Sequence, residues 1–327
     1  MPWPCAHARA EAECGGYVAA ADACAQLDAA REHIRHLLGW SEGSVAFVHS
    51  AEDALRQLLL HWPHDLPVLV AHPRGEYGPN MAVLRQLGIA TAVIDGAHRI
   101  DPGAVEQLVA RERPDLVHVT WLGSHRGTVQ PVADIAAVCS AAGVPLVIDA
   151  AQAFGHLDTT QAAHADVVYA TSRKWLAGPR GVGFLAVRGS LAERMSGLEQ
   201  AESHVAGRVG LATALAEHLD LGAGDVHAGL ATVGVATRHQ LAQELAGSWS
   251  VVEDLDEPSA IVTLRSDAGA DIAAVRGRLL AEDDILTTHL GVERAPAEMR
   301  VPALRVSGHL DTGSADIARL VQALRRS

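Results

Sequence analysis

One lysine lies in a loop between two strand-like runs. The chain has 26 lysine and arginine residues, and Lys174 is the only lysine among them. It lies between the β-rich runs Val167–Ala170 and Gly183–Val187. A lysine can be desolvated, lose its proton and form an imine, whereas an arginine stays protonated and is a poor nucleophile. A codon bias toward arginine would also leave a single lysine by chance, so Lys174 taken alone leaves both explanations open.

A carboxylate stands at the end of another apolar run, upstream of this lysine. The segment Val144–Gln152 reads VPLVIDAAQ and carries Asp149 near its end. Ligands of open α/β sheets bind at the carboxyl ends of the strands, so adjacent strands would bring Asp149 and Lys174 together. Pyridoxal phosphate needs this pair, because an acid keeps its pyridine nitrogen protonated and a lysine carries its aldehyde as a Schiff base. The two residues therefore predict a pyridoxal phosphate site, although an Asp at a strand end is often only a helix cap.

Strand-like and helix-like segments alternate from residue 45 to about residue 190. Such alternation predicts an α/β fold with a doubly wound, mainly parallel sheet. The pattern divides the chain into an N-terminal segment (1–20), a large cofactor-binding domain (21–219) and a small C-terminal α/β domain (220–327). The sheet would carry the chemical residues on the loops that follow its strands.

Two of those loops offer further contacts. Ser50 precedes the helical segment Ala51–His61 and is a natural N-cap, but free N–H groups at a helix start also bind phosphate. With a pyridoxal phosphate candidate in the same chain, this helix start is the best phosphate site. Tyr77 lies in a turn rich in Gly and Pro after a strand, where its ring could stack on the cofactor.

Composition excludes several classes of protein. The formal net charge of −13 argues against a nucleic-acid or anionic-membrane partner. No apolar run reaches membrane-spanning length, and residues 1–10 lack the apolar core of a signal peptide. The four cysteines show no CxxC spacing, which favours free thiols in the cytoplasm over a disulfide framework. His33 and His36 have no third ligand nearby, so a solvated helix face is favoured over a metal site.

Motifs along most of the chain carry a family resemblance. VIDAAQ (Val147–Gln152) and TSRKWLAGPRGVG (Thr171–Gly183) resemble pyridoxal phosphate enzymes of fold type I, in the class V aminotransferase and cysteine desulfurase group. The segments that most resemble one branch of this family, the hercynylcysteine sulfoxide lyases of ergothioneine biosynthesis, are GGYVAA (Gly15–Ala20), GEYGPN (Gly75–Asn80), DLVHVT (Asp115–Thr120) and SHRG (Ser124–Gly127). The joint occurrence of these motifs in order is specific, whereas any one of them alone would not be.

The resemblance implies roles around the cofactor ring. Lys174 would form the Schiff base, Asp149 would pair with the pyridine nitrogen, and Gln152 would reach the phenolic oxygen. Tyr77 falls in the loop that supplies the stacking residue, and Ser124 matches a cofactor-side Asn or Ser.

The same resemblance implies contacts to the phosphate and to the substrate. The implied phosphate contacts are Ser50, the amides of Ala51 and Glu52, Thr171 and Arg173. Arg305, in LRVSGHLDT, matches the arginine that binds the substrate α-carboxylate, where a planar bidentate donor suits the anion.

Enzymes of this fold complete their sites across a dimer interface, so the resemblance also implies a homodimer. The desulfurases carry a Thr in the Glu202–Gly207 region that reaches the partner's phosphate. Glu202 would repel phosphate, so we expect Ser203 or His204 to take that place.

The family usually begins with a longer segment that closes over the pocket. Either the start of this sequence is truncated, or the pocket has one wall fewer.

The implied reaction is a β-elimination. The substrate would be hercynylcysteine sulfoxide, whose sulfur leaves as a sulfenate on a trimethylated histidine and yields ergothioneine, with pyruvate and ammonia from the amino acid. Tyr17, Tyr77 and Trp121 are the aromatic candidates to surround the cationic group. No cysteine follows Cys139, so a desulfurase that forms a persulfide is disfavoured. The alternatives are another class V enzyme, either desulfurase-like or an aminotransferase, and a non-catalytic protein that keeps the fold.

Overall fold

The central element of the molecule is a seven-stranded sheet. A computed structural model describes residues 3–63, 65–96, 98–194 and 203–326. The strands, in chain order, are β1 (Ser44–Val48), β2 (Leu69–Pro73), β3 (Ala90–Ile94), β4 (Leu116–Thr120), β5 (Leu146–Asp149), β6 (Val167–Thr171) and β7 (Gly183–Val187). Their spatial order is β1-β7-β6-β5-β4-β2-β3. All pairs are parallel except the two that β7 makes with β1 and β6. The prediction of a mainly parallel α/β sheet is confirmed.

Helices cover both faces of this sheet and extend beyond it. They are α1 (Trp3–Cys14), α2 (Gly16–Leu37), α3 (Ala51–Leu60), α4 (Gly78–Gln86), α5 (Pro102–Glu112), α6 (Val132–Ala142), α7 (Gly189–Arg194), α8 (Val205–Asp220), α9 (Ala223–Glu244), α10 (Ile272–Asp283) and α11 (Ser314–Leu324). Every residue of β4, β5, β6 and β7 is buried. Strands covered on both faces appear in sequence as continuous apolar runs. For this reason the runs predicted at Val167–Ala170 and Gly183–Val187 match β6 and β7 within one residue, and the run Val144–Gln152 contains β5.

A second, four-stranded antiparallel sheet is formed by the C-terminal third of the chain. Its strands are β8 (Trp249–Val251), β9 (Ile261–Ser266), β10 (Thr288–Leu290) and β11 (Ala303–Ser307), in the order β10-β11-β9-β8. It has its own apolar cluster, which includes Leu264, Leu279 and Leu304.

The helices α1 and α9 were not predicted. The α9 segment contains interior glycines, which lower its helix propensity, so the sequence did not indicate a helix there. One of these glycines is required, because a Cβ at Gly234 would lie 1.9 Å from the Ser259 carbonyl oxygen.

Polar contacts join this second sheet and its loops to the large sheet. Glu298 accepts hydrogen bonds from His98 Nδ1 (2.7 Å), His125 Nε2 (2.9 Å) and Arg126 Nη2 (2.7 Å). Burial alone would raise the pKa of Glu298, but the hydrogen bond from His125 and the charges of His125 and Arg126 outweigh it and lower the pKa to about 2. The backbone at Gly127 packs closely against the backbone of Ile261, because a Cβ at Gly127 would lie 2.0 Å from the Ile261 carbonyl oxygen. These contacts fix the position of β11, and with it Arg305, relative to the loop after β4.

Neither a membrane-spanning helix nor a metal cluster is found in the part of the chain that the structure describes. No described helix is both long and apolar enough to cross a bilayer. No group of three or more potential His, Cys, Asp or Glu ligands is assembled there.

Candidate active site

The carboxyl ends of four strands meet at one edge of the large sheet. Across neighbouring strands, Thr120 pairs with Asp149, and Asp149 pairs with Tyr169. Further along, Gly183 at the start of β7 pairs both with Thr171 at the end of β6 and with Val48 at the end of β1. Because β7 is antiparallel to both of its neighbours, β1 and β6 run in the same direction. The loops after β1, β4, β5 and β6 therefore all emerge at this edge, which is where ligands of open α/β sheets bind.

A cavity of about 370 Å³ opens at this edge, between the two sheets. Six residues proposed from the sequence line it: Tyr77, Ser124, Gln152, Arg173, Lys174 and Arg305. The sequence reasoning missed five others: Trp175, Arg294, Ser307, Gly308 and His309. Trp175 directly follows the lysine, and that position was a signal that could have found it. Arg294 and the 307–309 stretch are brought in by the second sheet, so no local pattern marks them.

The Lys174 amine lies in an environment that favours its neutral form. Burial is the largest influence and lowers its pKa, the Asp149 carboxylate opposes this, and the cations Arg305, Arg173 and Arg294 lower it further. The result is a pKa of about 8, against 10.5 for an unperturbed lysine. About a tenth of the amine is therefore unprotonated at pH 7, far more than for an ordinary lysine. The unprotonated form is the one that attacks an aldehyde or accepts a proton.

We expect the rate at which the cofactor-free protein takes up pyridoxal phosphate to follow this titration. A pKa near 8 means that the neutral amine, and so the rate, increases about tenfold between pH 7 and pH 9 and then levels off. Stopped-flow absorbance of Schiff base formation measures it. The control is Nα-acetyl-lysine, whose amine has an ordinary pKa and whose rate should still be increasing at pH 9. A protein rate that climbs without a plateau to pH 10 would contradict the lowered pKa.

Asp149 is held in a fixed orientation beneath the cavity. Its Oδ1 accepts a hydrogen bond from the Ala151 amide (2.8 Å) and its Oδ2 accepts one from Asn80 Nδ2 (2.9 Å). Asn80 Nδ2 also donates to Glu76 Oε1 (3.0 Å). All three polar side chains are buried. The carboxylate therefore keeps one geometry before any ligand binds.

Glu76 belongs to a buried ion pair behind Asp149. Its carboxylate contacts His118 Nδ1 (3.1 Å) and accepts hydrogen bonds from the amide and hydroxyl of Thr120. Burial raises the pKa of Glu76, but the charge and hydrogen bond of His118 outweigh it and bring the pKa to about 2. Burial lowers the pKa of His118, and the Glu76 charge reverses this and raises it. His118 Nε2 also contacts the Tyr169 hydroxyl (2.8 Å), whose pKa is raised by burial and by Asp149. Sequence reasoning missed this pair, although a histidine in the apolar strand DLVHVT was a signal.

Gln152 and Ser124 present polar groups to the cavity. Gln152 Oε1 accepts a hydrogen bond from Trp175 Nε1 (3.0 Å), so the Gln152 amide nitrogen is the half of the group left to contact a ligand. The Ser124 hydroxyl is buried and has no hydrogen-bond partner among the described residues. An orphaned hydroxyl facing a cavity is the kind of group that a ligand satisfies.

The residues proposed for the phosphate lie at the same edge but make ordinary local contacts. Ser50 caps α3, accepting a hydrogen bond from the Asp53 amide (3.0 Å). The Thr171 hydroxyl donates to the Val182 carbonyl oxygen (3.4 Å). Arg173 is exposed and lines the cavity. Ala51 and Glu52 begin α3, so their amides are among the N–H groups without an intrahelical acceptor.

The structure does not bring every proposed residue to the cavity. Tyr17 is 90% exposed at the start of α2, and Trp121 is 0% exposed within the apolar core, so neither contacts a ligand of this cavity within one chain. The role inferred for Trp121 is not supported, because its side chain turns into the core from the loop after β4. Ser203 and His204 lie beside His49 and Arg208, away from the lysine. Glu202 lies outside the described residues.

The residues present fit pyridoxal phosphate. An amine of lowered pKa, a buried carboxylate close enough to influence it, an orphaned hydroxyl and a helix start with free backbone amides surround one sheet edge. These are the donor and acceptor types that the aldehyde, the pyridine nitrogen, the phenolic oxygen and the phosphate require.

The fold and this set of residues define a pyridoxal phosphate enzyme of fold type I. Comparison with known proteins names the family: the chain belongs to the class V aminotransferases, whose family model matches residues 6–209. The chain is 45% identical to the probable hercynylcysteine sulfoxide lyase of Mycobacterium tuberculosis (strain CDC 1551 / Oshkosh), across 97% of this chain and 84% of that protein. It is 37% identical over 154 residues to 2-aminoethylphosphonate–pyruvate transaminase 1 of Burkholderia lata, across 45% of this chain and 40% of that protein.

Solved structures share the fold at low sequence identity. The cystine C-S lyase C-DES, in complex with its product cysteine persulfide, superposes with a TM-score of 0.83 at 17% identity, across 98% of this chain and 92% of that one. The apo cysteine desulfurase of Thermococcus onnurineus NA1 gives a TM-score of 0.78 at 16% identity, across 93% and 84%.

Proposed function

We propose that this enzyme cleaves the carbon–sulfur bond of hercynylcysteine sulfoxide by β-elimination. The products would be the sulfenate that leads to ergothioneine, with pyruvate and ammonia. The observation that carries the proposal is the 45% identity to a probable hercynylcysteine sulfoxide lyase along 97% of this chain. The cavity supports it, because an amine of lowered pKa and a half-buried arginine, Arg305, both line it.

The side chains would hold the cofactor as follows. Lys174 would carry the aldehyde, Asp149 would keep the pyridine nitrogen protonated, Gln152 and Ser124 would contact the phenolic side, and Tyr77 would stack on the ring. The phosphate would be bound by the Ser50 side chain, the amides of Ala51 and Glu52, Thr171 and Arg173. Pyridoxal phosphate supplies, when bound, an aldehyde for the substrate amine and a ring that accepts electrons from the substrate Cα.

The chain's own residues account for substrate orientation and proton transfer. Arg305 would bind the α-carboxylate, since a guanidinium matches a carboxylate with two parallel hydrogen bonds. Lys174 Nζ, once displaced by the substrate amine, would take the proton from Cα. The electron pair of that C–H bond then forms the Cα–Cβ double bond while the Cβ–S pair leaves with sulfur as the sulfenate. Water converts the three-carbon fragment to pyruvate and ammonia.

A cysteine desulfurase is the second candidate, and the cysteines disfavour it. Desulfuration through a persulfide needs a thiolate near the substrate sulfur. Cys139 is the last cysteine of the chain, and burial followed by the charge of Asp166 raises its pKa to about 12. Cys14 and Cys24 lie on α1 and α2 and are exposed. None of the three lines the cavity.

We also propose that the enzyme acts in the cytoplasm as a homodimer. The three cysteines whose side chains the structure describes, Cys14, Cys24 and Cys139, are free, which supports a reducing compartment. The exposed apolar side chains of Tyr17 (90%) and Val18 (51%) at the start of α2 support an interface, because exposed apolar clusters mark association surfaces.

Incubation of the purified holoenzyme with two substrates tests the function. With hercynylcysteine sulfoxide we expect stoichiometric pyruvate and no free sulfide; with cysteine we expect little of either. Lactate dehydrogenase coupling measures pyruvate and a methylene blue assay measures sulfide. Sulfide release from cysteine at a higher kcat/KM than pyruvate release from the sulfoxide would reject the lyase in favour of the desulfurase.

A further inference from the structure

Two guanidinium groups line the same cavity as Lys174. Arg305 lies on β11, and Arg294 ends the short 3-10 helix Val292–Arg294. Both line the cavity, and its lining contains no aspartate or glutamate. Burial is the first cause that lowers the pKa of Arg305 to about 10, and the charge of Arg294 is the second. Two like charges this close are unfavourable together, so an anion bound between or beside them would be stabilised.

Two hydrogen bonds hold the Arg305 side chain in one position. Its Nη1 donates to the Ser124 carbonyl oxygen (3.0 Å) and its Nη2 to Thr288 Oγ1 (3.3 Å). Its buried Nε has no partner among the described residues. These contacts anchor the guanidinium against the loop that carries Ser124. It can therefore serve the one α-carboxylate that every amino acid substrate has.

Arg294 is left without an acidic partner. Among the described residues, the one hydrogen bond of its side chain is the donation from Nη1 to the Tyr77 hydroxyl (3.4 Å). No ion pair of Arg294 is formed within the described ranges, whereas the half-buried Arg31, Arg35 and Arg126 have carboxylate partners there. A partly buried guanidinium pointed into a cavity without a counter-ion is a site for an anionic ligand group.

The backbone around Arg294 is held closely. A Cβ at Gly78 would lie 1.9 Å from the Glu293 carbonyl oxygen, so the start of α4 and the Arg294 turn are in direct contact. This contact keeps Arg294 beside Tyr77. A cation held in place before binding loses less entropy when its ligand arrives, which favours its use in recognition.

We propose that Arg294 binds a second carboxylate, carried by the group attached to the substrate sulfur. This inference rests on the proposed function and deepens it: the substrate class becomes cysteine sulfoxides whose sulfur substituent itself carries a carboxylate. A trimethylated histidine has such a carboxylate. Its trimethylammonium group would lie against aromatic faces, and Trp175 and His309 line the same cavity with ring centroids 6.0 Å apart.

A comparison of two substrates and two variants tests the role. The substrates are hercynylcysteine sulfoxide and S-(imidazol-2-yl)cysteine sulfoxide, which keeps the ring but lacks the trimethylammonio acid arm. For Arg294→Gln we expect KM for the first to rise about 10–100-fold with little change in kcat, and KM for the second to stay unchanged. The matched control is Arg300→Gln, an exposed arginine on the same loop that contacts the Pro296 and Ala297 carbonyls outside the cavity. Arg300→Gln should alter neither KM.

Binding without turnover gives a second readout. Calorimetry with trimethylhistidine, which carries the second carboxylate but no cysteine, should show binding to the wild-type holoenzyme, weaker binding to Arg294→Gln and partial recovery in Arg294→Lys. Equal losses on both sulfoxides, or equal binding of trimethylhistidine by wild type and Arg294→Gln, would overturn the role of Arg294. If wild type releases no pyruvate from either sulfoxide, the proposed function fails. Arg294-dependent binding of trimethylhistidine would then still support the second-carboxylate site.

Discussion

Replacing Lys174 by alanine is expected to eliminate pyruvate release from hercynylcysteine sulfoxide. Loss of the base that takes the Cα proton alone lowers kcat by about 10²–10⁴-fold. Loss of the amine that carries the aldehyde removes the cofactor's attachment as well. The matched variant is Lys174→Arg, which keeps a cation at the position but supplies no nucleophilic amine. Both variants should be inactive, whereas a purely electrostatic role for Lys174 would leave Lys174→Arg active.

A labelling experiment can identify the residue that binds the cofactor covalently, without interference from other lysines. Because Lys174 is the only lysine, borohydride reduction of the holoenzyme should attach pyridoxyl phosphate to one side chain. Peptide mass spectrometry should find that label on Lys174 in wild type and no side-chain label in Lys174→Ala. Visible absorbance of the cofactor should be lost in parallel. Pyruvate release by Lys174→Ala at a rate near that of wild type would contradict the assignment of Lys174.

The centre of the large sheet could be predicted because its strands β4 to β7 are buried on both faces. Continuous apolar runs such as LVHVT and VVYAT indicate such strands, and the polar residues that follow them mark the edge where a ligand binds. Asp149 and Lys174 could be placed together by this rule alone. In the structure Asp149 ends β5 and Lys174 lies in the loop after the neighbouring β6, and the charge of Asp149 influences the pKa of Lys174.

The rest of the site depends on contacts between segments far apart in sequence. Arg294 and His309 reach the cavity because the second sheet packs over the edge of the first, and no periodicity in residues 220–310 encodes that packing. The orientation of the Trp121 side chain could not be predicted from the sequence either. It lies one residue beyond β4, where strand alternation no longer tells which way a side chain points, and its indole turned out to be in the core.

The buried Glu76–His118 pair could not be predicted from the sequence. Glu76 and His118 are 42 positions apart, so no local pattern in the sequence pairs them. Only the fold shows that they neutralise each other and that Asn80 connects them to Asp149. Burying a charge is costly unless it is paired and hydrogen-bonded, so this cost has to be offset by a gain elsewhere in the molecule. The rigid orientation of the Asp149 carboxylate is a direct consequence of the network.

Asp149→Asn should have the second-largest effect on catalysis. The carboxylate is buried, and an amide of the same shape removes the negative charge that the pyridine nitrogen would require. It also places an NH₂ group opposite either the Asn80 amide nitrogen or the Ala151 N–H, both of which are donors. Removing one member of a buried charge pair costs about 3–5 kcal/mol. This corresponds to a decrease in kcat/KM of about 10²–10⁴-fold, at 1.4 kcal/mol per factor of ten.

Asp166 provides the matched control on the same sheet. Its Oδ2 accepts a hydrogen bond from the Leu146 amide (2.8 Å) at the opposite end of β5, away from the cavity. Asp166→Asn should lower the free energy of unfolding by about 1 kcal/mol and leave kcat/KM unchanged. Thermal unfolding of both variants separates a lost fold from lost chemistry, and absorbance of the bound cofactor reports its protonation in Asp149→Asn. If a folded Asp149→Asn protein retained wild-type activity and spectrum, Asp149 would have no part in holding the pyridine nitrogen, and its buried hydrogen bonds would serve stability alone.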